Sequence, residues 1–112
     1  MKMEHRVQYL KDANGHYVGC IAIRERPELQ SGDRYAVEYR VSTVNPLDAF
    51  DKDVGRQLAL GRMLEAPYIV HVAHHPSMHE VGVVIMRDIA KDSTLPSRVR
   101  RAAKNWLRKS GR

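Results

Sequence analysis

The sequence predicts a single α+β domain: an antiparallel sheet of about five strands, in the chain order β-β-β-α-β-β-α, with two helices mainly on one face. Three observations carry that reading. Tyr35, Val37, Tyr39, Val41 and Thr43 alternate with Arg34, Ala36, Glu38, Arg40 and Ser42, the period of a strand with one face on a core and one toward water. Asn14-Gly15 stands between two strand-like runs and tolerates the positive φ of a tight hairpin turn. Val99, Ala102, Ala103, Trp106 and Leu107 recur at helical spacing and define one apolar face.

The elements follow in order. Residues 4 to 10 read as a strand, with His5, Val7 and Tyr9 on one side. The second strand spans about His16 to Arg24. It carries Tyr17, Gly19, Ile21 and Ile23 on one face and Val18, Cys20 and Ala22 on the other, so both sides are apolar. Residues 25 to 33, with Pro27, Ser31 and Gly32, form a polar connection. After the third strand Asn45-Pro46 breaks the chain, and a helix runs from near Asp48 to Glu65, ended by Pro67. Leu47, Phe50, Val54, Leu58, Gly61 and Leu64 share one arc of that helix, which is expected to lie on the sheet. Gly55 and Gly61 each cost roughly 1 kcal/mol of helix propensity, and close approach to the sheet would justify keeping them. Tyr68 to Ala73 is a short strand and Val81 to Met86 another, joined by a histidine-containing loop. Thr94 is the expected N-cap of the last helix, residues 95–110, with Pro96 in its first turn.

A chain of 112 residues suits one domain, 1–112, with a modest core. No stretch approaches the roughly 20 apolar residues that cross a bilayer, and the N-terminal residues lack the apolar run of a secretory signal. The expected location is the cytoplasm. Cys20, the single cysteine, excludes an internal disulfide and reads as a small buried hydrophobe.

Charge is distributed unevenly. The chain holds 19 basic and 13 acidic residues. Seven of the basic ones are Arg98, Arg100, Arg101, Lys104, Arg108, Lys109 and Arg112, in a terminal segment without an acidic side chain. Without them the remainder is acidic by one. A positive field confined to one amphipathic helix attracts a polyanion or an acidic protein surface. Arg98, Arg100, Arg101, Lys104, Arg108 and Lys109 are therefore the candidate nucleic-acid-binding residues. Trp106 falls in the apolar arc, so the exposed aromatics of a membrane-surface helix are missing. On the preceding helix Leu60 and Met63 lie off the main apolar arc beside Lys52 and Arg56, the makeup of a protein contact and of a possible homodimer.

His71, His74, His75 and His79 crowd together, but their spacing fits no patterned zinc motif and no cysteine is near. His75-Pro76-Ser77 is one H-x-S, whereas two-histidine phosphoesterases need two. There is no phosphate-cradling loop and no dinucleotide fingerprint. The reading assigns no catalytic residue, no metal and no cofactor; a metal-dependent hydrolase ranks third.

The segment Phe50-Asp51-Lys52-Asp53-Val54-Gly55-Arg56-Gln57-Leu58-Ala59-Leu60-Gly61-Arg62 follows the pattern F-x-K-x-x-G-R-x-x-A-x-G-R. It resembles a segment of small, mostly uncharacterised bacteriophage-type proteins and covers about one helix. The resemblance implies a phage-encoded protein acting in the bacterial host cytoplasm, in the manner of short proteins that take over host machinery. It transfers no catalytic residue.

The expected function is non-enzymatic binding to nucleic acid or a nucleoprotein complex through the last helix. The alternative is an inhibitor of a host or defence protein that works by protein contact. Elemental analysis of untagged protein is expected to find less than one tightly held zinc per chain. One zinc, lost on His74→Ala/His75→Ala substitution, would restore a hydrolytic reading with metal-activated water.

Overall fold

The computed structural model describes residues 5–31, 34–43, 52–73 and 77–110. Their order is β1 (His5–Lys11), β2 (Tyr17–Ser31), β3 (Arg34–Thr43), α1 (Lys52–Glu65), β4 (Tyr68–Ala73), α2 (Met78–Lys91) and α3 (Ser97–Lys109). The fold is α+β, with four strands in the order β1-β2-β3-β4 and every neighbouring pair antiparallel.

The β1–β2 turn forms where Asn14-Gly15 predicts it. Gly15 has φ of +82°, and the Asp12 carboxylate accepts the amides of Asn14 and His16, both at 2.9 Å. The β2–β3 connection is shorter than the polar composition of residues 25 to 33 implies. β2 continues to Ser31, and Arg26 pairs with Ala36 before the register shifts. Cross-strand charge holds this extension. Glu38 is 3% exposed and accepts from Arg24 Nε at 2.9 Å and Arg26 Nη1 at 2.5 Å. The polar face of β3 thus does not look toward water: Ala36, Glu38 and Ser42 are buried.

Five strands become four because Val81 to Met86 belongs to α2. A short apolar run rich in β-branched residues fits a buried strand or a helix equally; its start decides. Ser77 caps α2 by accepting the Glu80 amide at 3.1 Å, and Ser77-x-x-Glu80 is the sequence pattern of a helix start. Val81, Ile85 and Ile89 then line one buried stripe, with Met86 beside them.

The helices do not share one face. Ile21, Ile23, Val37, Tyr39 and Val41 pack with Val81, Ile85, Ile89, Val99 and Ala103 of α2 and α3. Cys20 and Ala22 point the other way and pack with Ala59 and Met63 of α1. A central strand apolar on both faces needs cover on both.

The buried side of α1 is also the reverse of the predicted one. Val54, Leu58 and Leu64 are 52%, 48% and 65% exposed, while Met63 is 1% exposed. Gly55 and Ala59 are buried and Leu60 half-buried. The strand face under α1 is built of small residues and a hydroxyl, so the helix comes close. Ser42 Oγ donates to the Gly55 carbonyl at 2.8 Å, and Arg62 Nη1 donates to the Val41 carbonyl at 3.3 Å. Gly61, by contrast, faces open space. Leu47, Phe50 and the first predicted helical residues lie outside the described residues. The last helix starts at Ser97 with Pro96 as N-cap. Thr94 instead closes the α2–α3 turn, its amide and hydroxyl donating to Asp92 Oδ1 at 3.0 and 2.6 Å.

The two faces of α1 give opposite stability effects. Met63→Ala is expected to cost about 2–5 kcal/mol by leaving a cavity, and Leu58→Ala about 0.5 kcal/mol or less. Urea unfolding of both variants checks the order, which the predicted facing would reverse.

Candidate nucleic-acid interface

α3 docks as its apolar spacing predicts. Val99, Ala102 and Ala103 are buried, and Trp106 and Leu107 pack partly buried against the same core. Gly82 lets α2 and α3 approach at the indole: a Cβ there would meet Trp106 Cη2 at 3.3 Å. The His79 ring lies 5.6 Å from the indole, tilted by 30°. Trp106 is therefore set between α2 and the β1–β2 hairpin.

With that side fixed, the opposite side of α3 faces water. Arg101, Lys104, Arg108 and Lys109 are exposed, whereas Arg98 and Arg100 are half-buried. Arg100 Nε is buried without a hydrogen-bond partner among the described residues. Arg100 is thus drawn toward the packed side and, with Arg98, is less accessible than the other four predicted contacts. Arg108 Nη2 donates to Asn105 Oδ1 at 2.9 Å, which steadies its fork. Arg112 lies outside the described residues.

Two features bear on the charge of this surface. No acidic residue occupies the first turn of α3, so Arg98, Arg100 and Arg101 stand at the positive end of the helix dipole, where cations destabilise. Several carboxylates elsewhere in the fold have partners of their own. Asp88 accepts the Tyr39 hydroxyl, Asp92 accepts Thr94, Glu38 holds Arg24 and Arg26, and Glu25 pairs with Arg6 at 3.8 Å. Among the described residues, no ion pair neutralises Arg101, Lys104 or Lys109.

Beside α3 lies an open cleft of about 270 Å³. Leu10, Lys11 and Asp12 of the hairpin form one wall, and Asn105, Trp106 and Lys109 the other. The His16 amide, in hydrogen bond to Asp12, holds that carboxyl below its ordinary range, with smaller help from the Asn14 amide and the His16 ring. Sequence reasoning missed this cleft because Lys11-Asp12 and Asn105-Trp106 are far apart in the chain. The hairpin signal and the Trp106 face were each visible; their meeting depends on the sheet order.

The predicted partner surface is not assembled as expected. Arg56 is exposed, but Leu60 packs partly buried toward Cys20 and Ala22, and Met63 is core. The side chain of Lys52 lies outside the described residues. The apolar side chains that α1 presents to water are Val54, Leu58 and Leu64. Of the four clustered histidines, His71 sits exposed on β4 and His79 on the first turn of α2; His74 and His75 lie outside the described residues. No group of three His, Cys, Asp or Glu able to hold a metal occurs among the described residues. No described helix is long and apolar enough to cross a membrane.

Burial raises the Cys20 thiol to about 11 from an ordinary value near 9.0, against a smaller opposing effect of Arg56. A thiolate nucleophile is therefore disfavoured there. A thiol reagent at pH 8 is expected to leave native Cys20 unmodified and to label it fully in urea. The raised value stabilises the fold fully below pH 9 and is lost as pH rises through 11. The alkaline fall in stability should thus be shallower in Cys20→Ala.

The chain matches no protein family, no curated protein and no solved structure.

Proposed function

We propose that this chain is a non-enzymatic binding protein for nucleic acid or a nucleoprotein complex, with α3 as the contact element. The observation that carries the reading is the row of exposed cations Arg101, Lys104, Arg108 and Lys109. They project from a helix whose other side is locked into the core. Such a row meets phosphates at little reorganisation cost, and counterion release supplies the affinity. Arg98 and Arg100 contribute at the margins. The bacteriophage-type resemblance of Phe50 to Arg62 supports a phage-encoded protein working in the bacterial host cytoplasm.

A second reading is favoured by a different surface. Val54, Leu58 and Leu64 form an exposed apolar set on α1 with exposed Arg56 and Arg62 close by in the helix. A protein contact there, to a host or defence protein or to a second copy of the chain, is the inhibitor reading moved to the side of α1 that faces water.

Salt separates the two, because phosphate-driven binding weakens steeply with ionic strength and an apolar contact does not. The triple variant Arg101→Ala/Lys104→Ala/Arg108→Ala is expected to lose nucleic-acid affinity on all sequences. Its log–log salt slope should fall by about one for each phosphate no longer neutralised. Absence of wild-type binding to both DNA and RNA at about 50 mM salt would refute the reading.

A further inference from the structure

We propose that the cleft between the β1–β2 hairpin and α3 receives one unpaired base of a single-stranded nucleic acid whose phosphates lie along the cationic face of α3. The inference rests on the polyanion reading above and gives it a ligand class.

Size comes first. At about 270 Å³ the cleft falls just under the roughly 300–1,000 Å³ of pockets that enclose drug-sized ligands, so it suits one flat ring system. Its walls supply the right surfaces. Leu10 and the Trp106 indole are apolar, and a base stacks on an indole whatever its identity. Trp106 is held in place beforehand by Gly82 and the His79 ring, so little ordering is needed on binding.

The polar groups decide what enters. Asp12 is an ionised carboxylate in the wall, and it repels a phosphate. An uncharged base is not repelled, and its exocyclic amine can donate to that carboxylate. Asn105 has its oxygen engaged by Arg108 Nη2, which leaves its NH2 group to donate to a base edge. The charges of one nucleotide are thereby sorted. The phosphate finds Lys104 and Arg108 on the outer face, the base finds Trp106 and Asn105 inside, and Lys109 belongs to both α3 and the cleft wall. A duplex can fill this cleft only by flipping a base out of its stack, which costs energy. Discrimination for single strands follows.

Trp106 is the only tryptophan among five tyrosines, so fluorescence excited at the long-wavelength edge, where only indole absorbs, reports on the cleft. The full chain is titrated with a single strand of about 12 nucleotides, with the corresponding duplex, and with heparin, at about 50 mM salt. The single strand is expected to quench Trp106 and to bind about fivefold or more tightly than the duplex, the scale of one stacked base. Heparin, a polyanion without bases, should bind without quenching. Asn105→Leu should bring single-strand affinity down to the duplex level and reduce the quench, while the lost support of Arg108 lowers single-strand, duplex and heparin affinity by one common, smaller factor. Retained heparin binding and an unchanged circular dichroism spectrum show that this variant folds; should it not, Asn105→Ala replaces it with the same expectation. Lys104→Ala should weaken all three ligands in parallel. Equal affinity for single strand and duplex, or single-strand binding without quenching, overturns the base site and leaves the polyanion reading standing. No binding to any of the three overturns both.

Discussion

The double-sided burial of β2 is the constraint on which the rest of the structure depends. This strand lies between β1 and β3 and is apolar on both faces. Ile21 and Ile23 face α2 and α3; Cys20 and Ala22 face α1. Leaving either face in water would forfeit apolar burial, the main driving force of folding. The side-chain sizes then set the two layers apart. Small residues under α1 admit a close helix that turns Gly55, Ala59 and Met63 inward. Larger ones on the other face make room for a pair of helices whose own contact is set by Gly82 and Trp106. The direction in which α3 shows its cations is the last step of that chain of consequences.

Polar side chains within the sheet are satisfied by partners close at hand. Glu38 is nearly buried between two guanidiniums, and Asp88 reaches from α2 to the Tyr39 hydroxyl at the sheet. Removing one partner of a buried pair strands the other charge, at a typical cost of about 3–5 kcal/mol. Glu38 is therefore fixed by the fold between Arg24 and Arg26. Burial of Tyr39, reinforced by its bond to Asp88, also holds that phenol protonated far above its ordinary value.

Much of this is legible in the sequence. Asn14-Gly15 locates the first hairpin because its turn chemistry is local. The face of α3 is legible because Val99 to Leu107 repeats with one period and no competing one. The facing of α1 is not. Its larger apolar residues, Val54, Leu58 and Leu64, mark one side, but the strand face beneath it is set by Cys20, Ala22 and Ser42, which draw Gly55, Ala59 and Met63 inward instead. Val81 to Met86 misleads for a different reason. A run shorter than two helical turns has no resolvable period, and the Ser77–Glu80 start signal lies in a stretch whose histidines and proline read as a loop. Double-sided cover is visible in the two apolar faces of the second strand, yet it conflicts with the clean alternation of the third. The structure resolves that conflict by burying Glu38 with its arginines. The cleft beside α3 cannot be read at all, since its walls meet only once the sheet order is known.

The strand order carries a further consequence, for the behaviour of the protein when it is crowded. β4 ends the sheet, so its outer backbone groups meet no strand partner among the described residues. Its six residues, Tyr-Ile-Val-His-Val-Ala, combine β-branched and aromatic side chains with no proline and no fixed charge. Ile69 on this strand is 49% exposed. Short segments of that composition on an open rim are templates for strand addition and cross-β stacking. The brevity of β4 limits that hazard in the folded chain.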